Sequence, residues 1–120
     1  MIDVIIAGAG PAGCVAAIVL ARAGVRVLVL DRARFPRPKL CGDSLNPGAV
    51  GLLDRLQLTG FPENRAVPAD GIIVTGEEGV EIAARYPAGV RGRFVSRTVL
   101  DAWLLEQALQ AGAQFEDCVR

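Results

Sequence analysis

No histidine occurs in the 120 residues. That removes the commonest general acid–base group and metal ligand, and it excludes Ser-His-Asp or Cys-His catalysis within this chain. Cysteine is scarce as well. Cys14, Cys41 and Cys118 form no C-x-x-C pair and are odd in number. Neither a disulfide framework nor a metal site is expected, and a reducing, cytoplasmic setting fits. Net charge is lacking too: 13 basic residues balance 13 acidic ones, which leaves no electrostatic footprint for nucleic acid. There are no internal repeats and no low-complexity segments. Val4 to Ala21 is free of charge, but Gly8, Gly10, Pro11 and Gly13 interrupt its first half, so a membrane span is not expected. Nor is a signal peptide, because no basic residue precedes the apolar run.

What is present is a globular composition, 52% hydrophobic and 22% charged, in a chain long enough for one domain with a modest core. The most informative stretch is the first, Met1 to Arg32. Ile2 to Ala7 is an apolar run of buried-strand length, rich in β-branched residues. Gly8, Gly10 and Gly13 form G-x-G-x-x-G, and Ala12 to Ala23 follows with good helix formers and no proline. Gly24 is placed to close that helix. Val25 to Leu30 is a second apolar run, and Asp31 sits at its end.

Each glycine has a physical reason in a dinucleotide site. Gly8 allows the sharp turn out of the strand, Gly10 lets the backbone approach a pyrophosphate, and Gly13 lets the helix pack on the sheet. The helix N-terminus offers N–H groups and a positive dipole end to the phosphates. An acid about 20 residues on accepts hydrogen bonds from ribose hydroxyls. A βαβ unit that binds nothing is the plainer alternative. Against it, three glycines at this spacing weaken a helix start unless something must come close.

Beyond Asp31, Pro36 and Pro38 rule out a helix, and an extended loop is expected. Asn46-Pro47 reads as a cap and first turn, with a helix over Gly48 to Leu58. Phe61 to Asp70 reads as a loop. Gly71–Thr75 and Val80–Ala84 are strands of a hairpin turning at Gly76 to Gly79, and Arg93 to Ser96 is a short strand end. Thr98 with Asp101 resembles a capping box. Leu100, Trp103, Leu104 and Ala108 make one helical face, Gly112 stops the helix, and Ala113 to Val119 forms a last strand. The element order suits an α/β fold with a parallel sheet and a hairpin inserted into it.

Arg22, Arg26, Arg32, Arg34, Arg37 and Lys39 cluster in one stretch opposed only by Asp31. The cluster reads equally as a solvated loop or as a positive rim beside a phosphate-bearing ligand, with Arg32 the best single candidate. Lys39 reads most simply as a solvated loop lysine.

The GAGPAG turn, the Asp31-Arg32 pair, the FPRPKLCGD loop and the VSRTVLDAWLLEQA segment together resemble the geranylgeranyl reductase family. That family sits within a wider group of FAD-dependent oxidoreductases that includes aromatic-ring hydroxylases and flavin-dependent halogenases. The resemblance covers nearly the whole chain. It implies a Rossmann-like FAD-binding domain over residues 1–120, its N-terminal portion only, with about 70–98 as an inserted hairpin region leading toward a missing substrate domain.

The resemblance also implies roles. Gly8, Gly10, Ala12 and Gly13 would line the FAD pyrophosphate. Asp31 would hold the adenosine ribose, where most relatives carry Glu, and Arg32 would flank the adenine side. Cys41 and Gly42 would approach the flavin end. Arg97 would contact the cofactor from the start of its helix, and Val119 would touch the adenine region through its backbone. No catalytic residue is assigned, and Cys41 alone merits a test, although without a local base it reads more simply as a small side chain in a tight turn.

The expected activity is NAD(P)H-dependent reduction of a C=C bond in an isoprenoid-type substrate. The alternatives are monooxygenation of a small or aromatic substrate, a non-catalytic ADP-binding module, or a truncated fragment without function. An isoprenoid substrate would favour residence at a membrane surface, though no basic amphipathic helix in the sequence demonstrates it.

Overall fold

The structure is a computed structural model that describes residues 1–120. Contacts divide the chain into two compact units.

The first unit comprises 1–40, 59–62 and 97–120. It holds strands β1 (Val4–Ala7), β2 (Val27–Leu30) and β8 (Gln114–Glu116) and helices α1 (Pro11–Arg22) and α3 (Arg97–Gln110). The strands form a parallel sheet in the order β1-β2-β8. Parallel neighbours need crossovers, and α1 supplies the one between β1 and β2.

Burial alternates along β1: Val4 and Ile6 are half-buried while Ile5 and Ala7 are exposed. The expectation of a fully buried first strand is thus corrected. One sheet face is open, and β1 is also an unpaired edge, having β2 as its sole partner. The helices α1 and α3 pack on each other. Cys14, Ala17 and Ile18 of α1 are fully buried, at the i, i+3, i+4 spacing of one helical face. Val27 and Val29 of β2 and Leu100, Leu104 and Ala108 of α3 complete this core. Burying each of the larger aliphatic side chains is worth roughly 1.5–3 kcal/mol. Trp103 is core as well: its ring meets Phe61 edge to face at 5.1 Å, and its indole N–H donates to the Thr59 carbonyl at 3.1 Å.

The second unit comprises 41–58 and 63–96. A three-stranded antiparallel sheet runs β3-β7-β4, built from Ser44–Leu45, Gly92–Phe94 and Val67–Ala69. Helix α2 spans Pro47–Arg55, and the Asn46 side chain accepts a hydrogen bond from Ala49 N–H, the expected cap. Strands β5 (Gly71–Thr75) and β6 (Glu81–Arg85) form a separate hairpin. Its turn contains a short 3-10 segment, Glu77–Gly79. Ile72, Ile73, Val74 and Ile82 are all at least half exposed.

Three expectations shift. The 61–70 loop contains a 3-10 turn, Glu63–Arg65, and strand β4, because antiparallel pairing with β7 tolerates Pro68 on an edge strand. Helix α2 stops at Arg55, short of Leu58, and Gln57 takes a positive φ of 52°. Finally, α3 begins at Arg97, ahead of Thr98. Asp101 caps nothing; its carboxylate is taken by two guanidiniums. No helix is long and apolar enough to cross a membrane.

Candidate functional site

The site grows from the turn between β1 and α1. Gly8 N–H donates to Leu30 O at 2.7 Å, which carries the parallel ladder one residue past the strand. Gly8 then turns at φ +107°, a region that side chains resist. A Cβ on Gly13 would lie 1.9 Å from Gly8 O, so α1 packs on this turn only because residue 13 has no side chain. Gly10 is the N-cap of α1, and no side chain caps it. Pro11 at the first helical position has no N–H to satisfy. The first turn of α1 therefore presents backbone donors and a positive dipole end, with no acidic residue within that turn and no side-chain cap.

Asp31, at the end of β2, is buried and fixes this turn from the side. Its Oδ2 accepts from Ala9 N–H at 2.8 Å and its Oδ1 from Ala33 N–H at 2.9 Å. Burial opposes ionisation. The hydrogen bonds from Ala33 and Ala9 and the charges of Arg37 and Arg32 outweigh it, and the pKa lies below its ordinary 3.8. Each carboxylate oxygen retains acceptor capacity beyond its one backbone bond. Val119 N–H donates to Asp31 O at 3.0 Å, which brings the chain after β8 alongside residue 31.

Opposite the turn stands an ionic cluster. Arg97 Nε and Nη2 donate to the two oxygens of Asp101 at 2.7 and 2.9 Å. Arg37 Nη1 donates to Asp101 Oδ2 at 2.9 Å. The Arg37 guanidinium also lies over the Phe35 ring, 4.7 Å from its centroid, a favourable cation–π placement. Its Nη2 lies 3.9 Å from Asp31 Oδ2.

These parts bound a cavity of about 670 Å³ within the first unit. It brings together Gly8, Gly10, Asp31, Arg32, Arg97 and Val119 from the sequence expectations. Ala12 and Gly13 are not in its lining; Gly13 serves packing. Cys41 and Gly42 are exposed residues of the second unit. The cavity also takes in Arg37, which the sequence placed in a basic cluster without singling it out, and Lys39, which the sequence read most simply as a solvated loop lysine. Pro36 and Pro38 flank Arg37, which lies outside any regular element, so no periodicity pointed to its direction. Cys14 is not a reactive thiol. Burial, reinforced by the Asp101 charge, pushes it up to about 12, and its Sγ lies 3.4 Å from Ala9 O.

A parallel βαβ unit with an uncapped glycine turn, an acid closing the second strand and guanidiniums facing them defines a dinucleotide-binding half-domain of the α/β class. The chain belongs to the FAD binding domain family, whose model matches residues 1–119. It is 39% identical over 115 residues to a menaquinone reductase of Mycolicibacterium smegmatis, covering 93% of this chain and 28% of the relative. It is 35% identical over 116 residues to digeranylgeranylglycerophospholipid reductase 1 of Methanopyrus kandleri, covering 95% and 29%. Among solved structures, the flavin-dependent brominase Bmp2 superposes with a TM-score of 0.83 at 26% identity, covering 96% of this chain and 29% of that one. The chain thus spans under a third of the length of these relatives.

Proposed function

We propose that this chain holds the ADP half of FAD in the cavity between the Gly8–Gly13 turn and the Arg97 side, as part of an FAD-dependent oxidoreductase. The observation that carries the reading is the uncapped N-terminus of α1, with Gly10 at its cap and basic side chains facing it. That arrangement suits a diphosphate. The donor set fits the group: Arg32, Arg37, Lys39 and Arg97 line the cavity against the single carboxylate of Asp31. Gly8 and Gly10 would approach the pyrophosphate and the N–H end of α1, at Ala12 and Gly13, would face it. Asp31 would accept from the ribose hydroxyls through its remaining lone pairs, with Arg32 and the Val119 backbone beside the adenine. Cys41 and Gly42 would lie toward the flavin.

FAD, when bound, supplies the two-electron chemistry, and the protein's part is to hold and orient it. The proposed reaction of the whole protein is NAD(P)H-dependent reduction of a C=C bond in an isoprenoid-type substrate. The two named reductases among the relatives favour it. A second reading, oxygen-dependent chemistry on a small or aromatic substrate, draws on the likeness to the brominase. The inserted region at about 70–98 would lead toward the substrate-binding part in either case.

Flavin fluorescence anisotropy during titration of FAD with the purified chain tests the cofactor. Saturable binding displaced by ADP is the expected result. A folded chain that leaves the anisotropy of FAD unchanged and ignores ADP would sink the reading.

A further inference from the structure

We propose that Arg37 is a second phosphate-binding guanidinium of this cavity, and that Asp101 is the positioning residue that sets Arg37 and Arg97 side by side above Gly10. The inference rests on the FAD reading and adds to it Arg37, which the sequence left undistinguished within a basic cluster, and Asp101, to which the sequence assigned no part in binding.

The charge count is the first ground. The Asp101 side chain is 1% exposed, and a buried carboxylate must be neutralised in place. Arg97 alone meets that need. It lies one helical turn away and engages both oxygens, at 2.7 and 2.9 Å. Yet a second guanidinium arrives from 64 residues away, and Arg37 Nη1 donates to Oδ2 at 2.9 Å with its own side chain only 13% exposed. Two guanidiniums on one carboxylate leave a net positive charge in a poorly solvated place. Asp31, 3.9 Å from Arg37 Nη2, offsets that charge, and the excess that an anion in the cavity would balance comes from Arg32, Lys39 and Arg120, which also line it.

Aim is the second ground. A Cβ built on Gly10 would lie 3.5 Å from Arg97 Nη2 and 3.9 Å from Arg37 Nη2. Both nitrogens therefore flank one point beside Gly10, the N-cap of α1. Arg37 is held there from two sides, by Asp101 at Nη1 and by the Phe35 ring beneath the guanidinium plane. A guanidinium is flat and forked, so fixing one Nη sets the direction of the other. The ligand chemistry is a diphosphate bridging Arg37, Arg97 and the helix end, as in ADP or FAD.

A purely structural Arg37–Asp101 tie would fasten the 31–40 loop to α3 without touching a ligand, and the test separates the two roles. Binding of FAD, ADP and phosphate-free adenosine is measured for the chain, Arg37→Gln, Arg37→Lys and Asp101→Asn, with circular dichroism to follow folding. Arg37→Gln is expected to weaken FAD and ADP at least about ten-fold, as for a lost charge-assisted hydrogen bond, and to leave adenosine unchanged. Arg37→Lys, which keeps the charge and loses the fork, should recover part of that loss. Asp101→Asn should weaken ADP and leave adenosine unchanged. If Arg37→Gln fails to fold, Arg37→Lys decides: a loss confined to the phosphate-bearing ligands supports the role, and unchanged ADP affinity overturns it. Variants that bind ADP as the parent does overturn this inference alone. A parent chain that binds neither FAD nor ADP overturns the cofactor reading along with it.

Discussion

Asp31 has a structural duty beside the ribose role proposed for it. The sequence suggested a ribose ligand; the structure adds that its carboxylate anchors the glycine turn through Ala9 N–H and the following loop through Ala33 N–H. Asp31→Ala should therefore lower thermal stability as well as cofactor affinity, the latter by roughly 1–3 kcal/mol. Asp31→Asn gives a pH signature. The folded pKa lies below 3.8, so the stabilisation by the carboxylate is fully present above that value and is lost as pH falls through the folded pKa. The melting-temperature gap between parent and Asp31→Asn should be constant near neutrality and close in acid. A gap that does not change with pH would deny the carboxylate this role. The cysteines give a second prediction at the same scale. Cys41 and Cys118 are exposed and Cys14 is buried, with its thiol pushed up to about 12. Ellman's reagent should titrate two thiols in the native chain at neutral pH and the third only after denaturation. Rapid reaction of all three would contradict the packing of α1.

At the scale of elements, the β1–α1 junction depends on one close approach. Gly13→Val would set a Cβ 1.9 Å from the Gly8 carbonyl oxygen, backbone that has no flexible end to yield. Urea denaturation should show a loss of at least about 1–3 kcal/mol, typical of overpacking; undiminished stability would mean that α1 does not sit on the turn as described. This junction was legible from the sequence because short-range rules act there together: apolar run, glycine spacing, helix formers and a closing acid all fall within 32 residues. The role of Asp101 at the start of α3 was not legible. Thr98 and Asp101 have the spacing of a capping box, but Asp101 faces the core side of its helix, where Arg97 and Arg37 are better partners than a backbone N–H. Arg37 was hidden for a related reason. A pairing across 64 residues leaves no trace in local pattern. Strand β4 escaped notice because three residues containing Pro68 form a strand only once β7 is beside them.

Among the apolar surfaces that the molecule exposes, two bear on association. One is the open edge of β1 with Ile5, 62% exposed; the other is the β5–β6 hairpin, where Ile73 and Ile82 are 67% and 66% exposed. Unpaired apolar edges and bare hydrophobic hairpins promote association between chains. Light scattering should accordingly find a mass that rises with concentration above the 12.6 kDa of one chain. Ile73→Lys combined with Ile82→Lys, which puts one charge on each hairpin face, should bring it back toward that value; a parent that stays monomeric at high concentration would show these surfaces to be harmless. The central claim, however, concerns the cavity of the first unit. It is tested most directly by titrating FAD, and separately ADP, into the 15N-labelled chain and following the backbone amides. The account predicts saturable shifts at Gly8, Gly10, Ala12, Asp31, Arg32 and Val119 with either ligand. A folded chain whose spectrum does not respond, or responds only elsewhere, would contradict it.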